Sequence, residues 1–266
     1  MTYEITEHDK EVMSEAIDKL KEAHPEIEVV FLSLSGSRLY GTNGSTADYD
    51  IRGCYIAPTE DFLGTKKVNQ TIEFGNCGSG EVEFQLHELG KFASLLISPN
   101  MNLIEETLSP LGIEETPLKD RLKDLAARAV CKNTFAHVQG MTIHTKKHAR
   151  KENWLQPKRN LYIFRELLRG IILFETSEFV SDVTTLAKLS GDVDTMNHVE
   201  MLLKKKRAGD RLSILDSLES KKLIAKLESR MLTAKEFGLL AKDVDLRNEV
   251  DKLVRKVRLE TLEDHI

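Results

Sequence analysis

One stretch, from Phe31 to Pro58, constrains the fold and the chemistry of this chain more than any other. It begins within an apolar, β-branched run, Val29 to Leu34, which predicts a buried strand. Gly36-Ser37 breaks that run, and a loop rich in Gly, Ser, Thr and Asn follows. A second strand pattern then starts at Asp48-Tyr49-Asp50-Ile51-Arg52. We therefore expect two buried strands joined through a Gly-Ser turn, a short helix and a polar loop.

The charged residues of the second strand share one face. Residues two apart in a strand point the same way, so Asp48, Asp50 and Arg52 lie together, while Tyr49 and Ile51 face the core. The two carboxylates are about 7 Å apart along the strand, since each residue adds roughly 3.3 Å. They repel each other unless a cation lies between them, and oxygen ligands suit Mg²⁺ or Mn²⁺.

The Gly-Ser turn adds a second element to this pattern. A Gly36-Ser37 turn that leads into a helix exposes backbone N–H groups, which bind phosphate. The alternative interpretation is that Asp48 begins a turn and Asp50 is a solvated residue at a sheet edge. A phosphate-binding turn and a metal-binding pair on neighbouring strands form one site, and this combination favours a function.

The segments GSRLYGT and ADYDIRGCYIAP, within residues 35–58, resemble the signature of the DNA polymerase β-like nucleotidyltransferases. They are similar to the branch of predicted nucleotidyltransferases of bacteria and their viruses, some of them associated with RNA repair. The resemblance implies transfer of a nucleoside monophosphate from an NTP, with ATP as the expected donor. It also implies a mechanism that uses two metal ions. Ala47 stands where this family usually has Ser, outside the metal ligands.

A later strand supplies a third carboxylate. Residues 81–87 alternate strictly, with Glu81, Glu83, Gln85 and His87 on one face. Similar proteins place an acidic residue eight positions before a Lys-Phe pair, and Lys91-Phe92 gives this position to Glu83. Most family members have Asp there, so the longer Glu is a departure. Glu81, on the same face, is the alternative.

The remainder of the chain has helical periodicity. Leu111 to Pro117 is turn-like and acidic, and we place a domain boundary there. The sequence therefore predicts an α+β protein: a nucleotidyltransferase catalytic domain over residues 1–116, with a mixed β-sheet flanked by helices, and an all-helical domain over 117–266. A helix over 7–23 should cover the first strand, and another should span 158–175.

Several cations are candidates for binding phosphate. Lys158 begins the helix 158–175, where the family has a Lys followed seven residues later by an Arg, and Tyr162, Arg165 and Arg169 lie along the same stripe. Lys158 would then face the triphosphate across a cleft between the domains. Arg38, just after the Gly-Ser turn, either contacts phosphate or pairs with an acid of the fold, and Arg52 would neutralise the departing pyrophosphate.

Composition excludes several classes of protein. The net charge is −5, so no global basic character points to nucleic acid, but the run from Lys146 to Arg159 is basic, and so is Lys204 to Arg207. Either run is a phosphate-binding patch or a solvated helix face. Three scattered cysteines argue against a disulfide scaffold and favour a reducing compartment. We expect no signal peptide and no membrane span, and we expect a cytoplasmic location.

These observations and the resemblance together predict an Mg²⁺- or Mn²⁺-dependent nucleotidyltransferase. Asp48, Asp50 and Glu83 are the expected catalytic and metal-binding residues, and the expected nucleotide-binding residues are Gly36, Ser37, Arg38, Arg52 and Lys158. The acceptor stays open. An RNA 3′ end bound to the Lys146–Arg159 run is one hypothesis, a protein hydroxyl is a second, and a non-catalytic nucleotide-binding module is a third.

Overall fold

The structure, a computed structural model, describes residues 3–44, 47–65, 67–75 and 81–263. The glycine-rich segment 76–80, which the sequence predicts to join two strands, lies outside these residues. The strands are β1 (Glu28–Leu34), β2 (Tyr49–Ile56), β3 (Thr71–Gly75), β4 (Val82–Glu88) and β5 (Gly112–Glu115). The helices are α1 (Glu7–Ala23), α2 (Gly36–Leu39), α3 (Leu89–Ile97), α4 (Met101–Leu108), α5 (Pro117–Ala129), α6 (Thr134–Lys151), α7 (Pro157–Thr176), α8 (Val183–Leu189), α9 (Val193–Ala208), α10 (Ile214–Phe237) and α11 (Arg247–Glu263).

The five strands form one mixed sheet in the order β3-β4-β2-β1-β5. Strands β1 and β2 pair antiparallel, as the loop between them allows, whereas β2 and β4 pair in parallel. Residues on β2 alternate between half-buried Asp50 and Arg52 and buried Tyr49 and Ile51, because only one face of this part of the strand packs into the core. The α+β class with a mixed sheet and C-terminal helices is confirmed.

The edge strand β5 corrects one expectation from the sequence. Residues 111–117 were expected to form a turn, but Gly112–Glu115 pairs antiparallel with β1. The segment Gly-Ile-Glu-Glu has no alternating apolar pattern, because every residue of an edge strand keeps part of its surface in solvent. Its strand conformation comes from hydrogen bonding to β1, a tertiary effect that local sequence does not encode.

The chain divides into two compact units. The sheet unit contains Glu4–Gly36, Asp48–Ala129 and Val244–Ile266, and the helical unit contains Met1–Tyr3, Ser37–Ala47 and Val130–Asp243. Helix α5 therefore groups with the sheet, and α11 returns to it from the end of the chain. The assignment of catalysis to residues 1–116 and of a helical domain to 117–266 stays a prediction.

Helix α1 occupies the expected range, and its buried stripe is formed by Val12, Met13, Ala16, Ile17 and Leu20. Thr6 caps its first turn through a reciprocal capping box with Asp9. The second oxygen of Asp9 accepts a hydrogen bond from the Tyr49 hydroxyl at 2.8 Å, which ties the helix to β2.

Helix α7 is the core of the helical unit. It begins with Pro157 at a position that lacks an intrahelical hydrogen bond in any case, and it packs against α6, α8, α9 and α10. Its residues from Leu161 to Phe174 are buried around the whole circumference apart from Tyr162, as expected for a helix surrounded by others. Among the helices of the described residues, none is both long and apolar enough to cross a membrane.

Candidate active site

The turn after β1 is packed directly against an acidic side chain. Gly36 has φ +61°, a left-handed conformation that favours glycine. A Cβ built at this position would lie 1.8 Å from Oδ2 of Asp50, so no other residue fits without displacing that carboxylate. The Ser35 N–H donates to the Asp50 carbonyl at 2.8 Å, which fixes the turn beside β2. The glycine of the Gly-Ser pair is therefore required by its contact with a side chain of the neighbouring strand.

Asp50 and Glu83 lie side by side. They are register partners on the parallel strands β2 and β4, and directly paired residues of parallel strands point to the same face of the sheet. Asp50 is 22% exposed, whereas Asp48 and Glu83 are both exposed. Glu81 immediately precedes β4, and its carbonyl accepts a hydrogen bond from the Tyr49 N–H at 2.8 Å. Asp50 and Glu83 thus belong to two adjacent strands, whereas Asp48, which the sequence analysis placed on the strand, lies one residue before the start of β2.

The carboxylates are suitable metal donors but are not gathered around a point. Within the described residues, no three His, Cys, Asp or Glu side chains come close enough together to hold a metal ion. Carboxylate oxygens are the ligands that Mg²⁺ and Mn²⁺ prefer, so the donor chemistry of Asp48, Asp50 and Glu83 fits such an ion. Their assignment as metal ligands and catalytic residues stays a prediction.

Arg52 supplies the positive charge next to Asp50. Its guanidinium donates to Oδ1 of Asp50 at 3.0 Å and to the Ile51 carbonyl at 3.2 Å. The other oxygen of Asp50 faces Gly36, so the carboxylate is held on both sides. Arg52 is 22% exposed, and a phosphate group could reach it from solvent.

Glu106 of α4 is a buried acid that the sequence reasoning missed. Burial raises the pKa of its carboxyl to about 8, while the nearby Arg52 opposes this rise and Glu105 adds to it. At neutral pH this carboxyl is therefore largely protonated, and it places no full negative charge beside Arg52. The clue in the sequence is an acid within the otherwise apolar pattern of Met101, Leu103 and Ile104.

Ser37 and Arg38 follow the turn. The Ser37 hydroxyl is buried and has no hydrogen-bond partner among the described residues, so it is available to a ligand. Arg38 is buried, with its guanidinium donating to the Tyr3 hydroxyl and, at 2.9 Å, to the Ala47 carbonyl. The sequence predicts either a phosphate or an acid of the fold as its partner, and its contacts include this phenol and this carbonyl. Its binding to a nucleotide stays a prediction.

Lys158 lies in the first turn of α7, where it is exposed and its ammonium group is 5.8 Å from the centre of the Tyr162 ring. The rest of the expected polar stripe is not exposed. Arg165 and Arg169 are both buried, and each pairs with Glu166 at the centre of the helix. These two arginines belong to the core, because buried charges require partners of opposite sign. Of this stripe, only Lys158 and Tyr162 remain accessible.

The first basic run is divided between paired and unpaired side chains. Lys146 forms an ion pair with Glu228 at 2.7 Å, and Arg159 pairs with Glu152 at 3.4 Å. In contrast, four exposed cations of this run have no ion-pair partner in the part of the chain that the structure describes: Lys147, Arg150, Lys151 and Lys158. We call these four residues the open basic patch.

Comparison with known proteins agrees with the sequence motifs. The model of the RNA repair pathway DNA polymerase beta family matches residues 10–256. An uncharacterized protein of Methanocaldococcus jannaschii, MJ0002, is 35% identical over 162 residues, which are 59% of this chain and 64% of that protein. The match thus spans slightly less than two thirds of this relative's length.

A solved structure has the same fold. Spectinomycin adenyltransferase AAD(9) of Enterococcus faecialis, crystallised with ATP and spectinomycin, superposes with a TM-score of 0.51 at 9% identity. The superposition covers 84% of this chain and 98% of that one. Family and fold both support a nucleotidyltransferase-type enzyme, and enzymes of this fold generally use divalent metals. The chain belongs to the RNA repair pathway DNA polymerase beta family.

Proposed function

We propose that this protein transfers a nucleoside monophosphate from an NTP, with ATP as the donor, to the 3′ hydroxyl of an RNA, and releases pyrophosphate. The observation that carries the proposal is the packing of Gly36 against Asp50, with Glu83 in register beside it. A turn that binds phosphate and carboxylates that bind a cation are thereby adjacent, which is the combination that an NTP with its metal ion requires. Membership of the family supports the same chemistry.

The proposed roles follow from the surroundings of each residue. Asp48, Asp50 and Glu83 would hold Mg²⁺ or Mn²⁺, which when bound lowers the pKa of the acceptor hydroxyl and neutralises charge on the phosphates. The unpartnered Ser37 hydroxyl would donate to a phosphate oxygen, together with the amides of the Gly36-Ser37 turn. In the reaction, the acceptor oxygen bonds to the α-phosphorus and loses its proton, and the bond from the α-phosphorus to pyrophosphate breaks.

The cations would act on the phosphates. Arg52 is accessible enough to shift part of its hydrogen bonding from Asp50 to a β- or γ-phosphate oxygen, where it stabilises the leaving pyrophosphate. Lys158, exposed at the start of α7, would contact the triphosphate, and Arg38 would support the loop through Ala47. AAD(9) was solved with ATP, which agrees with ATP as the donor proposed for this chain.

The open basic patch supports RNA as the acceptor. Its four cations lie on α6 and on the start of α7, and they have no ion-pair partner among the described residues. Exposed lysines and arginines without ion-pair partners release counterions when they bind a polyanion, and this gain is largest for nucleic acid. With Lys158 assigned to the triphosphate, Lys147, Arg150 and Lys151 of α6 are left for the acceptor, and a small hydroxyl acceptor does not require three such charges.

A labelling experiment tests the proposal. The protein is incubated with Mg²⁺ and each of the four α-³²P-labelled NTPs, with either total RNA or a protein lysate as acceptor, and Asp50→Asn serves as the inactive control. We expect label in the RNA fraction only, at the 3′ end, with ATP. Label in protein alone would replace the RNA acceptor by a protein hydroxyl, and no transfer to either fraction would contradict a catalytic function.

A matched pair of variants tests the third carboxylate. Glu83→Gln and Glu81→Gln remove one charge each from neighbouring, exposed positions on β4 and just before it. Because Glu83 is the register partner of Asp50, we expect Glu83→Gln to lower kcat by at least about a hundredfold, and Glu81→Gln to leave it nearly unchanged. The reverse result would assign the third carboxylate to Glu81.

A further inference from the structure

The loop after the Gly-Ser turn is held through its backbone carbonyls. The Val183 N–H, at the start of α8, donates to the carbonyl of Tyr40 at 3.0 Å. At the end of α9, the Lys206 ammonium group donates to the carbonyl of Thr42. Arg207 donates to the carbonyls of Gly41 at 3.3 Å and Asn43 at 3.4 Å. Four consecutive carbonyls, from residues 40 to 43, are thus bound by helices of the same unit.

Packing leaves this loop little freedom at its centre. Gly41 has φ +67°, and a Cβ there would lie 1.9 Å from Oδ2 of Asp182. Asp182 is itself fixed, because its other oxygen accepts hydrogen bonds at 2.7 Å from both the N–H and the hydroxyl of Thr185. The loop is therefore seated against a rigid helix N-cap, and only glycine allows this approach.

The orientation of the carbonyls determines where the amides point. In a planar trans peptide, the C=O of one residue and the N–H of the next point in opposite directions. The carbonyls of Gly41, Thr42 and Asn43 turn toward the cations of α9, so the amides of Thr42, Asn43 and Gly44 turn away from them. The Thr42 amide donates to the Ser37 carbonyl at 2.9 Å. The amides of Asn43 and Gly44 donate to no described residue, and the space around Gly44 is open.

Successive amides that have no partner among the described residues attract anions. We propose that Lys206 and Arg207 are positioning residues, which orient the loop so that the amides of Asn43 and Gly44 donate to a phosphate group of the bound NTP. The inference rests on the proposed function. It also reassigns two cations of the basic run Lys204–Arg207, since they bind the protein's own backbone instead of RNA.

The test compares the affinity for nucleotide among variants of one helix. Lys206→Ala combined with Arg207→Ala removes the contacts to the loop, whereas Lys204→Ala removes a charge from an exposed position in the same run with no contact to a loop carbonyl. We expect KM for Mg·ATP to rise on the order of tenfold in the double variant with kcat little changed, and to stay constant in Lys204→Ala. The single variant Lys206→Arg, in which Arg207 is native, keeps a charged donor at residue 206. It should retain the contact to the Thr42 carbonyl and the native KM.

A second pair of variants tests the amides without disturbing α9. Gly44→Pro removes the N–H of residue 44, and Gly44→Ala keeps it; a Cβ at this position meets nothing within 4 Å. We expect Gly44→Pro alone to raise KM for Mg·ATP, with an unchanged melting temperature. This pair decides the question even if the double variant of α9 folds poorly.

The outcomes separate this inference from the function on which it rests. If the wild-type protein binds Mg·ATP and both the double variant and Gly44→Pro bind it equally well, the positioning role is refuted and the proposed function stands. If the wild-type protein binds no nucleotide, both fall. An equal loss of affinity in Lys204→Ala would point to a general effect of charge, and it would also contradict a specific role of the loop.

Discussion

Substitution of Gly36 by Ala is the most direct test of the site, because the structure fixes what the added methyl group meets. The new Cβ would lie 1.8 Å from Oδ2 of Asp50, so the carboxylate must retreat to about 3.4 Å, the start of ordinary van der Waals contact. That movement disrupts the 3.0 Å contact with Arg52, which is worth up to about 1 kcal/mol for a partly exposed pair. The left-handed backbone of a non-glycine residue costs a further ~1–2 kcal/mol.

We therefore expect Gly36→Ala to lower the free energy of unfolding by about 2–3 kcal/mol and to abolish nucleotidyl transfer. Urea unfolding followed by circular dichroism measures the first quantity, and the labelling assay measures the second. Gly209→Ala is the matched control, since Gly209 has φ +74° and a methyl group added there would have no atom within 4 Å. It should show the cost of the backbone alone.

The contact with Asp50 is isolated by a double-mutant cycle. Asp50→Ala removes the atoms that a methyl group at residue 36 would overlap, so Gly36→Ala should cost less stability in that background than in the native protein. Equal costs of Gly36→Ala in both backgrounds, or a cost no larger than that of Gly209→Ala, would refute the argument that Gly36 is required by Asp50.

The remaining predictions concern charge. Asp50→Asn should abolish transfer while the melting temperature without metal changes little, since relief of repulsion with Asp48 offsets the weakened contact with Arg52; full activity in Mg²⁺ would place the metal site elsewhere. The stability that protonated Glu106 contributes is present below its ordinary pKa of 4.5 and is lost as the pH rises toward its folded pKa of about 8. Between these two pH values, the free energy of unfolding of the wild-type protein should fall relative to that of Glu106→Gln by roughly 1.4 kcal/mol per pH unit. Parallel pH profiles of the two proteins would contradict this. Lys158→Ala should lower kcat/KM for NTP by a factor corresponding to about 1–3 kcal/mol, and unchanged kinetics would exclude Lys158 from the nucleotide site. Lys147→Ala with Lys151→Ala should weaken only RNA binding, with a shallower salt dependence, and normal RNA binding at low salt would show that the patch is a solvated face.

Alternation along two strands predicts which carboxylates share a face of the sheet, and Asp50 on β2 and Glu83 on β4 are the two that lie on strands. The sequence predicts a common face for Asp48 and Asp50 because residues two apart in a strand share one, and strict alternation from Glu81 to His87 predicts the same for Glu83. In the structure β2 begins at Tyr49, so this argument holds for Asp50 and Glu83 but not for Asp48. What alternation cannot give is the partner strand or its direction. The choice of Glu83 as the partner of Asp50 came from a resemblance to a family, and the structure has these two residues in register on parallel strands.

Features that depend on distant contacts could not be predicted from the sequence. Strand β5 exists because β1 offers an open edge, and α11 packs against α3 although the two helices are far apart in the chain. The basic runs are a further case. Lys146 and Lys206 look no different in sequence from Lys147 and Lys204, but Lys146 pairs with Glu228 and Lys206 binds the carbonyl of Thr42. Only knowledge of these partners separates the cations available to RNA from those used by the fold.

The path of the chain connects the helical unit to the proposed chemistry. The chain leaves the sheet unit between Gly36 and Ser37 and returns to it between Ala47 and Asp48. Gly36 and Ser37, at the first crossing, are expected to bind phosphate, and Asp48, at the second, is expected to bind metal. If the helical unit fixes the segment 37–47, it therefore also restrains the backbone at these expected phosphate-binding and metal-binding residues. Natural variation in the length of this loop would then be tolerated poorly, unlike that of most surface loops. The contacts of Val183, Lys206 and Arg207 with loop carbonyls are the means by which the helical unit would impose this restraint.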